Sequence, residues 1–331
     1  MILVTGATGF VGSHIVANLL SKGEEVLAAY RSEDKQENLN KLLAWKKIQN
    51  NEPEWIYCDL MDPVSLALAV QKASTVIHCA AMVSFKYKDK AALYDTNVIG
   101  TTNLINACLE NEACPNFIFL SSTSSLNIPH LPKPENTNPV NTKEHYSFYG
   151  LTKFLGEMEV FRGQEEGLKV AVINPGVIVG EAPKESELQQ LFSMAKRGFP
   201  WFSKALHGFT HINDVIAGIH ILRKEWPRNV QHPIITENIR FQEIQNFISH
   251  LLNKRKPFWV LHKKFAWTLY TLGKAFYFIG LDLGLSRESI RTALHDSPIT
   301  LAPIFTDHIT SSKQRVFDGL SAHHDFNKDQ G

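Results

Sequence analysis

Tyr149 and Lys153 stand four residues apart in Phe148-Tyr149-Gly150-Leu151-Thr152-Lys153, where apolar residues continue at helical spacing through Leu155, Met158 and Phe161. Side chains four apart leave a helix on one face. An ammonium beside a phenol favours the phenolate and draws its pKa down from about 10, towards the range in which it can exchange a proton with a reacting oxygen. The pattern is weak by itself and gains meaning from two others upstream. Ser121-Ser122-Thr123-Ser124-Ser125 follows the apolar run Phe117 to Leu120 and supplies hydroxyls at a strand end. Ile2-Leu3-Val4 runs into Thr5-Gly6-Ala7-Thr8-Gly9-Phe10-Val11-Gly12, and Val11, Ile15, Val16, Leu19 and Leu20 then recur at helical spacing. A strand, a glycine-rich turn and a helix, in that order, suit a dinucleotide, because the free N–H groups and positive dipole end of the helix receive a pyrophosphate. In this reading Gly6 allows the tight turn, Gly9 the close approach of phosphate, and Gly12 the packing of helix on strand.

The elements that must position these groups alternate along the chain. Strands are expected at Glu25 to Tyr30, Trp55 to Cys58, Thr75 to Ala81, Phe117 to Leu120 and Lys169 to Ile173, with helices at Lys35 to Gln49, Ser65 to Lys72 and Leu93 to Leu109. Such alternation implies a parallel sheet with ligands beyond its carboxyl ends. The fold class is therefore α/β, a Rossmann doubly wound parallel sheet with a smaller, mostly helical C-terminal substrate lobe. Residues 1–178 and 207–238 are assigned to the dinucleotide domain, and 179–206 and 239–331 to the lobe. At the end of the second strand Tyr30 stands where a ribose-binding acid is expected for NAD, and Arg31 follows, suited to the extra phosphate of NADP. The reading is NADP, with NAD possible because Glu33 and Asp34 lie close enough to neutralise Arg31. Asp59, followed by Leu60, ends the third strand where an adenine amine would sit, or else caps the next helix. Ala80 and Ala81 are small enough for the middle of a cofactor to lie against them. His78, inside an apolar strand, reads as a hydrogen-bonded core histidine. The loop Leu126 to Glu144, with four prolines, is expected to edge the cleft.

Composition bounds the partners. At 331 residues, two lobes are expected from roughly 150 residues per domain. Lys+Arg 34 against Asp+Glu 33 leave a net charge of +1, so no broad electropositive field draws nucleic acid or an acidic membrane surface. A small-molecule substrate is the expected partner. Cys58, Cys79, Cys108 and Cys114 show no CxxC pairing and read as reduced thiols, and no ligand cluster calls for a metal. Met1 leads straight into the first strand without a targeting segment, so a cytoplasmic location is expected. The aromatic run Phe258 to Leu281 is broken by Lys263, Lys264 and Lys274 and falls short of the ~20 apolar residues of a membrane span. No integral membrane segment is therefore assigned. Its Trp259, Trp267, Tyr270, Phe276 and Tyr277 read as core of the lobe, with an apolar pocket or a membrane-surface contact as other uses. The hydrophilic tail Ser321 to Gly331, with His323 and His324, is expected to fray.

Taken as an ordered set, these motifs resemble those of the extended short-chain dehydrogenases/reductases, the NAD-dependent epimerase/dehydratase family, and within it the dihydroflavonol-reductase-like and 3β-hydroxysteroid-dehydrogenase-like branch. The set comprises the Thr5 to Gly12 turn, Asp59-Leu60, Ala80-Ala81, Asn97-Val98-Ile99-Gly100-Thr101, Ser121-Ser122, Tyr149 with Lys153, and Asn174-Pro175-Gly176. The resemblance implies Ser122 as the catalytic hydroxyl, with Ser121 and Thr123 as neighbouring candidates, and Tyr149 and Lys153 as its partners. It also implies cofactor contacts at Gly6, Thr8, Gly9, Phe10, Val11, Gly12, Arg31, Asp59, Leu60, Ala80, Ala81, Asn97, Tyr149, Lys153 and Pro175. Asp214 is expected as a helix N-cap, and related proteins often pair as homodimers.

Two departures separate the chain from sugar-nucleotide enzymes of that family. It has Asn174-Pro175 and Val179-Gly180 where those commonly have Arg-Pro and Tyr-Gly, and Leu126-Asn127 where they tend to have Tyr-Gly. The implied activity is an NADP(H)-dependent carbonyl/alcohol interconversion on a small, apolar substrate. One alternative is an NAD-dependent epimerase or dehydratase on a nucleotide sugar, for which Lys196, Arg197, Lys254 and Arg255 would have to clamp two phosphates. The other is a non-catalytic NADP sensor.

Overall fold

β1 (Ile2–Thr5) is buried along its length and lies inside a seven-stranded sheet, all of whose pairings are parallel. The computed structural model describes residues 1–48, 51–113, 115–128, 147–184, 186–227, 230–262 and 287–330. On one side of β1 come β2 (Val26–Tyr30) and β3 (Glu54–Tyr57); on the other come β4 (Thr75–His78), β5 (Asn116–Leu120), β6 (Val170–Pro175) and, at the edge, β10 (Gln231–Ile234). The chain winds outward from β1 to β3 and then returns to β4 on the opposite side. That reversal opens a crevice at the carboxyl ends of β1 and β4, the place where doubly wound sheets bind ligands.

Strand periodicity divides the core into two layers. Ile2 and Val4 face α1 (Phe10–Ser21), α2 (Gln36–Trp45) and α8 (Ile212–Glu225), whereas Leu3 faces α3 (Pro63–Gln71), α5 (Gly100–Glu110) and α6 (Phe148–Glu165). A short α4 (Lys90–Tyr94) runs through a π turn at Asp95–Ile99 into α5. Both sheet faces are therefore covered, as an all-parallel sheet requires.

The remaining chain builds helices and two small sheets. β7 (Val177–Val179) pairs with β9 (Leu206–His211), which pairs with β11 (Glu237–Arg240), and β8 (Trp201–Phe202) pairs with β12 (Trp259–Val260). α7 (Glu187–Lys196), α9 (Phe241–Leu251) and α11 (Lys313–Asp329) close a third core with Phe209 and Ile239, and α10 (Arg287–Ala293) borders the cleft.

Several expectations change. The tail does not fray: residues 321–329 are the last turns of α11, in which Val316, Leu320, His323 and Phe326 form one buried stripe. A low mean hydropathy hid that stripe. His323 is 0% exposed and bonds the Ala182 N–H (3.3 Å) and Gln189 (2.9 Å). Asp214 is not the N-cap of α8; His211 is, accepting from the Asn213 N–H. Asp214 instead accepts from Thr236 and Arg315, tying α8 to the strand end and to α11. Phe258 and Trp259 are 47% and 53% exposed, against Trp201 and Arg255, and line neither the cleft nor the core. The proline-rich loop from 129, Cys114 and the rest of the aromatic run from 263 lie outside the described residues.

Candidate active site

Gly6 has φ +68°, a conformation that costs a side chain about 1–2 kcal/mol, and a Cβ there would stand 2.7 Å from the Ala80 nitrogen. A Cβ on Gly12 would stand 2.1 Å from the Gly6 carbonyl oxygen, so α1 meets the turn in van der Waals contact only because both positions lack a side chain. Gly12→Ala is expected to push α1 off the turn, costing about 1–3 kcal/mol by overpacking and weakening dinucleotide binding by tenfold or more. A melting curve and a nucleotide titration check this; a variant matching the parent in both would contradict the packing.

The turn suits an anion. α1 has Gly9 as N-cap with no side-chain cap and no acid in its first turn. A Cβ on Gly9 would meet only the Gly6 oxygen, at 3.2 Å, so the face towards the groove is open. That groove, about 730 Å³, runs from Gly6, Thr8, Gly9 and Phe10 past Ala80 and Ala81 to Asp59, Leu60, Tyr30 and Arg31. Arg31 is exposed and makes no ion pair among the described residues, while Asp34 is engaged by the Ser32 hydroxyl. Asp62, not Asp59, caps α3, and Asp59 accepts from the Met61 N–H at the groove wall.

A second cleft of about 490 Å³ shares Gly6, Gly9, Phe10 and Ala81 with the groove and continues to Ser122, Tyr149, Lys153 and Pro175, with Val11 and Gly12 also on its wall. The dinucleotide groove and the candidate catalytic side chains thus meet over the glycines. Asn97 is the exception among the expected cofactor contacts. It is 1% exposed, and its amide is spent on both backbone groups of Met82 and on Thr152, which ties the loop after β4 to α6. His78 is fully buried between Thr5 and Thr101.

The serine cluster has a definite register. Ser122 caps the 3-10 turn Thr123–Asn127, accepting from the Ser124 N–H at 3.2 Å, and lines the cleft together with Tyr149. Ser121 turns the other way, onto buried Glu157. Tyr149 sits in the first turn of α6, whose N-terminus is capped by Ser147 and receives Glu288 of α10 on the Phe148 N–H at 2.5 Å.

The expected effect of Lys153 on the phenol requires correction. The Lys153 ammonium lies over the Phe119 ring at 4.2 Å and donates to the Leu120 carbonyl at 2.7 Å. Burial and the nearby charge of Glu187 push the Tyr149 pKa up, opposed by the neighbouring Ser122 hydroxyl. Burial likewise lowers Lys153 to about 8, opposed by Glu157. Without a dinucleotide the phenol is therefore a protonated donor, not a phenolate. That is the form needed to give a proton to a developing alkoxide.

The substrate side of the cleft contains residues that no motif announced. Glu187 at the start of α7 lines it, exposed overall, with its carboxyl's pKa raised where the cleft wall displaces water. His207, Glu288, Arg291, Thr292, His295 and Ser297 also line the cleft, as do Val83, Phe85 and Leu188. Glu187, His207 and the segment from Glu288 to Ser297 are three separate stretches of chain, so spacing carries no signal of them together. Lys196, Arg197, Lys254 and Arg255 do not line the cleft.

The geometry defines a dinucleotide-binding α/β protein with a serine–tyrosine–lysine site at the switch point of its sheet. The profile of the NAD dependent epimerase/dehydratase family matches residues 2–234, and the chain belongs to that family, among the extended short-chain dehydrogenases/reductases. It is an NAD(P)-dependent oxidoreductase of this type. Tetraketide alpha-pyrone reductase 2 of Arabidopsis thaliana is 31% identical over 245 residues, 68% of this chain and 74% of that protein. A putative dihydroflavonol 4-reductase of Synechocystis is 26% identical over 329 residues, 89% and 92% of the two chains. The crystal structure of gox2253 superposes with a TM-score of 0.77 at 23% identity, covering 100% and 98%. Among the described residues no helix is long and apolar enough to cross a membrane.

Proposed function

We propose that this chain is an NADP(H)-dependent reductase that interconverts a carbonyl and an alcohol on a small, mainly apolar substrate. The observation that carries the reading is that Ser122, Tyr149 and Lys153 line one cleft at the point where the glycine-floored groove opens into it. Residues 1–178 and 207–238 would serve the cofactor and the remainder the substrate. Gly6 to Gly12 would cradle the pyrophosphate, Asp59 the adenine amine, Arg31 the 2′-phosphate, and Lys153 the nicotinamide ribose. The bound nicotinamide would supply the hydride. Ser122 holds the carbonyl oxygen by its hydroxyl, and Tyr149 gives that oxygen a proton as negative charge develops on it.

Val83, Phe85 and Leu188 on the cleft wall favour an apolar substrate body. The four cations considered for the diphosphate of a nucleotide sugar lie off the cleft, which leaves Arg291 as the cation from α10 on its wall rather than a paired clamp. NADP preference rests on Arg31, which makes no ion pair among the described residues, and on Tyr30 in the place of a ribose-binding acid. Arg31→Ala is expected to weaken NADPH about 10- to 100-fold, the loss of one or two charge-assisted hydrogen bonds, and to leave NADH unchanged. Side-by-side fluorescence titrations test it. Equal affinities of the parent for the two nucleotides would contradict the assignment.

A further inference from the structure

Tyr149, Lys153 and Glu157 occupy three successive turns on one face of α6, along the same stretch of chain. Tyr149 lines the cleft with Ser122, Lys153 donates to the Leu120 carbonyl at 2.7 Å, and Glu157 receives Ser121 and Ser125. A Cβ on Gly150 would stand 2.5 Å from the Ser124 carbonyl oxygen, so the helix presses directly on the turn. Glu157 is 0% exposed. One of its carboxyl oxygens meets the Ser121 hydroxyl, the Ser125 hydroxyl at 2.6 Å and the Asn174 amide at 2.6 Å; the other meets the Gln231 amide. Asn174 is on β6 and Gln231 on β10, so the carboxyl group is referenced to the rigid sheet. The His232 N–H donates to Asn174 Oδ1 at 3.1 Å, which fixes that amide with its N–H groups towards Glu157. Ser125 also lies 2.7 Å from the Ser122 carbonyl oxygen.

We propose that Glu157 is a positioning residue for the reaction: by gripping the serine turn on both sides of Ser122, it sets the Ser122 hydroxyl against Tyr149. The proposal rests on the catalytic reading of Ser122 and Tyr149 above. Burying a carboxyl group so completely is costly unless every lone pair is used, and here four groups from three elements use them. A hydrophobic residue would fill the same space between α6 and the sheet without the desolvation cost. What the carboxyl adds is directional hold on the two serines that flank Ser122. It also accounts for Asn174, the departure from the Arg-Pro of sugar-nucleotide enzymes, as a partner of Glu157.

The test uses Glu157→Ala and Ser125→Ala, with Ser122→Ala as reference. 3-Fluorotyrosine is placed at position 149 for fluorine NMR, and kcat and KM are measured on the unlabelled proteins. Releasing the turn is expected to move the fluorine resonance towards that of Ser122→Ala and to lower kcat about tenfold or more, with KM and nucleotide affinity changed less than about threefold. If Glu157→Ala does not fold, Ser125→Ala alone carries the test, since it removes one hydroxyl and leaves the carboxyl in place. A resonance and a kcat unchanged in a folded variant, while Ser122→Ala shifts both, would overturn the positioning role. A Ser122→Ala protein with the parent's kcat would instead overturn the catalytic reading on which the proposal rests.

Discussion

Tyr149→Phe is expected to lower kcat for carbonyl reduction by about 10²- to 10⁴-fold, the usual contribution of a positioned proton donor. The substitution removes only an oxygen. The ring keeps its edge-to-face contact with Phe85, whose centroid lies 6.2 Å away, and α6 keeps its Ser147 cap. Nucleotide affinity and melting temperature should therefore stay near the parent's. Because burial and Glu187 push the phenol's pKa up, the parent's rate should not rise with pH through the neutral range, as it would if a phenolate were required. An alkaline fall is expected instead as Lys153 loses its proton near about 8. Stopped-flow rates across pH 6 to 10 would display both features. A Phe variant with near-normal turnover would remove Tyr149 from the chemistry.

The second large effect is acid destabilisation. His14, His78, His207 and His323 are all buried, and burial lowers their pKa values from 6.5 to about 4, about 3, about 4 and about 4. With folded values below unfolded ones, the unfolded chain binds protons first as the pH drops. The stability carried by these neutral rings is complete above about pH 6.5 and is lost as the pH falls towards each folded value, at about 1.4 kcal/mol per pH unit for each ring. Melting temperature should thus fall steeply between pH 7 and pH 5. His323→Gln, which keeps a polar group near Ala182 and Gln189 but does not titrate, should flatten the slope. A melting temperature independent of pH over this range would show that the rings already carry charge in the fold or remain in reach of water.

Local chemistry made the dinucleotide half legible. The glycines at 6, 9 and 12 carry backbone requirements that no other residue meets, and the β-branched runs mark buried parallel strands, so β1, α1 and the sheet follow from short segments. The tyrosine and lysine were found by spacing, and the serine by the family resemblance. Their geometry was not, because the direction of the Lys153 ammonium depends on the Leu120 carbonyl, far away in sequence. Asn97 was expected at the cofactor from the family motif that carries it; only the tertiary fold spends its amide on Met82 and Thr152. Glu157 had a readable signal, a third side chain at four-residue spacing after Tyr149 and Lys153, but its partners Asn174 and Gln231 come from two other strands. The far wall of the cleft was least legible, since Glu187, His207, Glu288 and His295 share no local pattern. The last helix also kept its apolar stripe under a hydrophilic average.

The most direct measurement follows isotope from nucleotide to product. With NADPH carrying deuterium at the transferable position of the nicotinamide and a panel of apolar ketones and aldehydes, the product alcohol is analysed by mass spectrometry while NADPH oxidation is followed by absorbance. Net NADPH consumption is expected, with one deuterium at the new carbinol carbon for each nucleotide oxidised, and Tyr149→Phe should slow both together. Conversion of a substrate without net loss of NADPH, or products that carry no deuterium, would contradict hydride delivery to a carbonyl protonated by Tyr149.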